Sequence, residues 1–260
     1  MKKSKGKKIT RRDILKLAGM GTAALAATKV AERTAAAAEV LKGKRYVMVI
    51  DLRRCYGCHT CSIACKAEFD VPLGRWRSWV KVLNKGKYPN VRRHFLPRLC
   101  NHCDTPACVH VCPVKATYKS ENGAILQRVE RCIGCRYCMQ ACPYNARYVL
   151  PRKTAAAPYK HIVDKCTFCM HRVEKGLEPA CVNACPARAR TFGDLNDPDS
   201  EVTKLISKNA TSTLKPEMGT KPQVYYIDLE ERMIGGRVRG YNPTAPEMPE
   251  GSASTNKVRR

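Results

Sequence analysis

Large apolar side chains are scarce in this chain of 260 residues. Four phenylalanines and two tryptophans are present, too few for a core anchored mainly on aromatic rings. Acidic residues are also short, with 22 Asp and Glu against 48 Lys and Arg, a formal charge of +26. No nucleophile–base pair, phosphate-binding loop or pair of carboxylates stands out, which argues against a substrate site of the chain's own. Long apolar runs are missing too. The mildly apolar stretch over residues 17–27 falls far short of the ~20 residues a membrane-spanning helix needs, and no later stretch comes nearer. Something other than apolar packing must help to hold such a core together.

Cysteine is what the chain has instead, sixteen in all. Cys132, Cys135, Cys138 and Cys142 stand as C-x2-C-x2-C-x3-C and are followed by Pro143. Bacterial ferredoxins hold cubane [4Fe–4S] clusters with that run. Three thiolates two residues apart on a curled loop reach three corners of one cube, and Gly134 supplies the positive φ such a curl needs. The curl turns backbone N–H groups toward the cluster sulfurs. The fourth cysteine is expected to open a helix and to point away toward a second cluster, as in two-cluster ferredoxins.

The pattern recurs. Cys55, Cys58, Cys61 and Cys65 repeat the spacing, with Gly57 placed as Gly134 is, but Lys66 stands where proline is usual. Cys100, Cys103, Cys108 and Cys112 precede Pro113, and Cys166, Cys169, Cys181 and Cys185 precede Pro186. Groups two and three span only 43 residues, which suggests a compact two-cluster unit inserted between groups one and four. Crossing the fourth cysteines within each pair yields four sets. The first is Cys55, Cys58, Cys61 and Cys185, and the second is Cys65, Cys166, Cys169 and Cys181. The third is Cys100, Cys103, Cys108 and Cys142, and the fourth is Cys112, Cys132, Cys135 and Cys138. All sixteen are thus iron ligands, and no catalytic residue is assigned.

Other chemistries fit less well. Disulfides among the four cysteines of one eleven-residue run would be badly strained, and zinc prefers two C-x2-C pairs to three close cysteines plus an outlier. Cys55-Tyr56-Gly57-Cys58-His59 matches the haem-attachment run C-x-x-C-H, but Cys61 and Cys65 already explain it as a cluster loop. His59 then reads as solvated or close behind a ligand. His94, His102, His110, His161 and His171 read mostly as surface or loop residues. Arg54, Arg136 and Lys165 read as solvated faces that could also raise a cluster potential.

The first 38 residues read as an export signal. Five lysines lead to Thr10-Arg11-Arg12-Asp13-Ile14-Leu15-Lys16, then the apolar stretch, then Ala35-Ala36-Ala37-Ala38, and the arginine pair resembles a twin-arginine signal. This segment carries ten basic and two acidic residues, which leaves 38 and 20 beyond it, or +18. A basic chain ordinarily suggests nucleic acid. Sixteen thiolates on four cores of about +2 bring the holoprotein to about +10, suited to an anionic membrane surface or an acidic protein rather than to nucleic acid.

Short strands are expected at residues 45–50, 116–119, 124–128, 161–164 and 223–228, with a turn at Glu121-Asn122-Gly123. Short helices should follow the cysteine loops, another should cover 201–209, and the basic insertion 73–99 with Trp76 and Trp79 suits a hairpin. The expected fold is α+β and loop-rich, a double bacterial-ferredoxin-like arrangement over residues 39–240. Its inner unit covers about 98–150, and residues 241–260, rich in Pro, Gly and Ser, form a disordered tail.

A twin-arginine leader, four such cysteine groups in this order and no spanning helix together resemble the four-cluster iron–sulfur subunit of the dimethyl sulfoxide reductase family. The polysulfide, thiosulfate and tetrathionate reductase electron-transfer subunits are the nearest in pattern. The resemblance covers roughly residues 45–230 and implies the ligand sets given above, four [4Fe–4S] clusters and no [3Fe–4S] centre. It implies an electron-transfer subunit rather than an enzyme. Its partners would be a quinone-reactive membrane subunit and a molybdopterin catalytic subunit of a respiratory, sulfur-compound oxidoreductase. The first set would face the catalytic subunit and the fourth the membrane. Export would place it in the periplasm, peripheral to the cytoplasmic membrane. The same cysteines also suit membrane redox complexes of sulfate reducers, or hydrogenases, that lack a molybdopterin partner. A zinc or nucleic-acid module would instead be colourless.

Overall fold

The structure, a computed structural model, describes residues 43–154 and 157–229. The expected export signal and C-terminal tail lie outside the described residues. Strand β1 (Tyr46–Asp51) is apolar almost throughout because both of its faces are covered. Tyr46, Met48 and Ile50 enter the main core. Val47 and Val49 turn the other way, against Val202, Leu205 and Ile206 of the helix at Glu201–Lys208. This is the period-two alternation of a strand serving two layers.

Strand β1 pairs in parallel with the strand at Val224–Ile227, which also carries the two-residue strand Thr211–Ser212, and antiparallel with the strand at Arg190–Asp194. Strand β1 runs into cysteine group one, while the Arg190–Asp194 strand leaves group four. Their register sets Ile50 opposite Arg190, and so brings the loop after Asp51 beside Cys185. Two groups more than a hundred residues apart are neighbours for that reason.

Strands β2 (Ser78–Lys87) and β3 (Asn90–Leu99) form the expected basic hairpin. Its base packs Val80, Leu96 and Leu99 into the core. Strands β4 (Thr117–Lys119) and β5 (Ile125–Gln127) make the hairpin expected between groups two and three. Strands β6 (Arg147–Val149) and β7 (Val163–Lys165) pair between groups three and four. The strands at β6 and at Arg190–Asp194, named β8, were not expected. Each starts with a buried arginine, which breaks the apolar pattern by which strands are recognised. Among the described residues the last two strands are β9 (Thr211–Ser212) and β10 (Val224–Ile227).

The helices are α1 (Thr60–Phe69), α2 (Ala107–His110), α3 (Tyr137–Gln140), α4 (Met170–Val173), α5 (Ala180–Asn183) and α6 (Glu201–Lys208). They correct the expectation that each fourth cysteine opens a helix. Cys112, Cys142 and Cys185 come two residues after the ends of α2, α3 and α5, and Cys65 lies inside α1. Proline is the reason, because it lacks an N–H and disfavours helical geometry in the residue before it. After Pro113, Pro143 and Pro186 the chain turns through a left-handed residue, Lys115, Asn145 or Arg188, with φ of 50, 52 and 46°. The next N–H then returns to the cysteine sulfur, Ala116 to Cys112 Sγ at 3.2 Å and Ala189 to Cys185 Sγ at 3.3 Å. Where Lys66 replaces proline, α1 runs on past the cysteine to Phe69 and a left-handed cap at Asp70.

Candidate metal centres

All sixteen cysteines are free thiols, and they gather across the sequence groups. Cys55, Cys58, Cys61 and Cys185 line one small cavity. Cys100, Cys103, Cys108 and Cys142 line another. Cys112, Cys132, Cys135 and Cys138 line a third. Each of these three cavities takes its lining thiols four at a time, as one cubane would require. Cys65, Cys166, Cys169 and Cys181 are all buried, and the charges of Cys65, Cys169 and Cys181 all bear on Cys166. Among the described residues no three His, Cys, Asp or Glu side chains converge on one point as a single metal ion requires. The thiols stand around spaces rather than at the vertices of a zinc tetrahedron.

Each loop curls through a left-handed residue two places after its first cysteine. In groups one and three this is glycine, Gly57 at φ 78° and Gly134 at φ 71°. A Cβ on Gly57 would lie 2.2 Å from the Phe95 ring, and one on Gly134 would lie 2.5 Å from the His161 carbonyl oxygen. In groups two and four the same position holds a ring, His102 at φ 42° and Phe168 at φ 55°. The two rings stack with centroids 3.6 Å apart, joining the loops of the third and second sets. Backbone strain at non-glycine residues is retained where the surroundings hold it. His102 is therefore not a surface histidine but a fully buried one. Its Nδ1 accepts the Ile125 N–H at 3.0 Å, and burial, then the charges of Lys165 and Arg147, pushes its pKa well down.

Lys165, expected on a solvated face, is also buried. Its Nζ donates to the Cys166 carbonyl at 2.7 Å and to the Ile125 carbonyl. Arg54 and Arg136 are exposed as expected, and so is His59. The buried thiols titrate high when free. Burial first, then neighbouring thiolates, pushes Cys169 and Cys103 up to about 12. Only a strong Lewis acid would hold such sulfurs deprotonated at neutral pH. Cys58 goes the other way, because Thr60 donates to it.

Donors to sulfur are already in place. Besides the two turns described above, Phe168 N–H points at Cys166 Sγ at 3.4 Å and Arg147 Nη2 at Cys108 Sγ at 3.0 Å. Arg190 is buried against the first cavity, its terminal nitrogens in no close hydrogen bond and its charge bearing on the Cys181 thiol. Four thiols around each space, N–H groups aimed at them and a buried guanidinium with no acidic partner among the described residues are what an anionic, sulfur-rich cofactor fits. Exposure is uneven. Cys58 in the first set and Cys135 in the fourth are exposed, each near exposed apolar side chains, Tyr56 and Ile63 or Ile133 and Tyr137. No helix among the described residues is long and apolar enough to cross a membrane.

Residues 91–195 match the 4Fe-4S dicluster domain family. The chain is 46% identical over 195 residues to a tetrathionate reductase subunit from Salmonella typhimurium, covering 73% of this sequence and 75% of that one. It is 40% identical over 224 residues to the arsenate respiratory reductase iron–sulfur subunit from a Shewanella species, covering 70% and 96%. To a polysulfide reductase subunit from Wolinella succinogenes it is 41% identical over 187 residues, covering 71% and 94%.

Proposed function

The chain belongs to the iron–sulfur subunits of the dimethyl sulfoxide reductase family, which transfer electrons and are not themselves catalytic, and from that premise we propose that it is a four-cluster wire. In this reading the four crossed cysteine sets each hold one [4Fe–4S] cluster, in a nested pair of ferredoxin-like units. The observation that carries it is the gathering of twelve cysteines, four by four, around three cavities, each set drawn from two sequence groups. Each cluster, when bound, supplies a one-electron site.

The residues do the rest. Cysteine thiolates hold the clusters, the buried second set excludes water from the middle of the path, and the exposed ends at Cys58 and Cys135 let partners approach. By its family the proposed partners are a molybdopterin catalytic subunit at the first set and a quinone-linked membrane subunit at the fourth, in a respiratory complex reducing or oxidising a sulfur compound. The proposed site of action is the periplasmic face of the membrane, reached by twin-arginine export and occupied as a peripheral subunit. Iron and sulfide analysis of anaerobically purified protein should find about sixteen of each per chain. A value near eight, or zinc in place of iron, refutes it. Co-purification with a large molybdopterin-type subunit tests the partner.

A further inference from the structure

Three basic side chains are buried among the cysteines: Arg190, 3% exposed, Lys165, 1%, and Arg147, 6%. Burial of an unpaired charge is costly, yet among the described residues none of the three makes an ion pair with Asp or Glu. Asp164, beside Lys165 in sequence, is taken by Arg77. Lys165 and Arg147 also face each other directly across the β6–β7 ladder, where like charges ordinarily repel. Two buried cations in register require anions close by, and the cysteine sets are what lies there.

Their placement is regular. Arg190 lines the first cavity, and the thiol charges it feels most are Cys181 of the second set and Cys61 of the first. Lys165 bonds the carbonyl of Cys166, in the second set, and that of Ile125, which lines the cavity of the third set. Arg147 bonds Cys108 Sγ of the third set at 3.0 Å and Thr117 Oγ1, which lines the cavity of the fourth set, at 3.2 Å. Cys138 of the fourth set is among the thiols whose charges it feels. Thiols couple across the same three junctions, Cys61 with Cys181, Cys100 with Cys166 and Cys108 with Cys138. The sets therefore stand in file from first to fourth, with one cation at each join.

We propose that Arg190, Lys165 and Arg147 are shared counter-ions, one at each junction of the file, and that each raises the reduction potentials of both clusters it stands between. The proposal rests on the four-cluster reading. Reduction adds one negative charge to a cluster that is already anionic, so a fixed cation nearby favours the reduced form. A cation between two sites does this for both. That keeps neighbouring steps level without an exposed, water-screened charge.

The test is an EPR-monitored redox titration of the anaerobically purified holoprotein, after iron analysis. Wild-type protein with fewer than four clusters refutes the four-cluster reading. Four clusters with potentials indifferent to the cations refute only the counter-ions. Arg147→Gln should weaken reduction of the third and fourth clusters at least tenfold each, about 59 mV for one electron, and leave the first and second unmoved. Arg190→Gln should move the first and second and spare the others. Arg147→Lys and Arg190→Lys keep the charge and should restore the potentials. Loaded Gln variants with unchanged potentials, or with only one cluster moved, overturn the proposal. So do Lys variants that shift as far as Gln. If a Gln variant binds no clusters, its Lys counterpart decides: wild-type potentials uphold the requirement for charge, and failure to load shows a requirement for shape alone and overturns it.

Discussion

Asp164 should be the costliest single acid in the fold to neutralise. Arg77, just before β2, donates Nε to its Oδ2 at 2.8 Å and Nη2 to its Oδ1 at 2.6 Å, and the Tyr148 hydroxyl donates to Oδ2 as well. The side chains of Arg77 and Asp164 are 5% and 10% exposed, so water cannot replace either partner. The pair ties the basic hairpin to the β6–β7 ladder, between two cysteine groups. In Asp164→Asn the guanidinium stays buried without a counter-charge, a loss of about 3–5 kcal/mol. For a chain of this size that corresponds to a fall of roughly 6–20 °C in the melting midpoint. The assay is anaerobic thermal loss of the visible cluster absorption at one fixed scan rate, because unfolding with cluster loss is irreversible. Arg77→Met should cost a similar amount. The double variant should lie close to either single one, since both remove the same interaction. Additive losses, or an Asp164→Asn midpoint within about 2 °C of wild type, would show that the pair contributes little.

Three further outcomes bear on the proposed function. Cys112→Ser should damage the cluster built by Cys132, Cys135 and Cys138 and spare the one built by Cys100, Cys103 and Cys108, while Cys142→Ser should do the reverse; the same EPR loss for Cys112→Ser and Cys103→Ser refutes the crossing. If the fourth set faces the membrane, Cys112→Ser should also block quinone-linked turnover more than dye-linked activity of a catalytic partner. Replacing Arg11 and Arg12 with lysine should leave cluster-loaded precursor in the cytoplasm, and fractionation that finds normal amounts of mature protein beyond the membrane refutes the export signal.

Much of the site was legible in the residues because cluster chemistry is local. Three cysteines on a tight curl must lie within a few residues of one another, and the glycine at φ > 0 belongs to the same curl, so Cys132 to Cys138 and Gly134 declare themselves by spacing alone. The apolar run of β1 and the turn at Asn122-Gly123 are equally local signals. What spacing cannot carry is the environment between loops. The burial of Lys165, Arg147 and Arg190 looks like surface charge in the sequence, because their anionic partners are thiols brought in from distant groups. His102 and Phe168 occupy the glycine position of their loops and stack only because those loops meet. The helix ends differ from expectation for a smaller reason: the helices before Cys112, Cys142 and Cys185 stop short of the prolines, and after each proline a left-handed residue turns the chain back on the cysteine. Local spacing thus sets which atoms can bind a cluster. The antiparallel pairing of β1 with β8, and the packing it enforces, sets which cysteines share a space and which buried cations stand beside them.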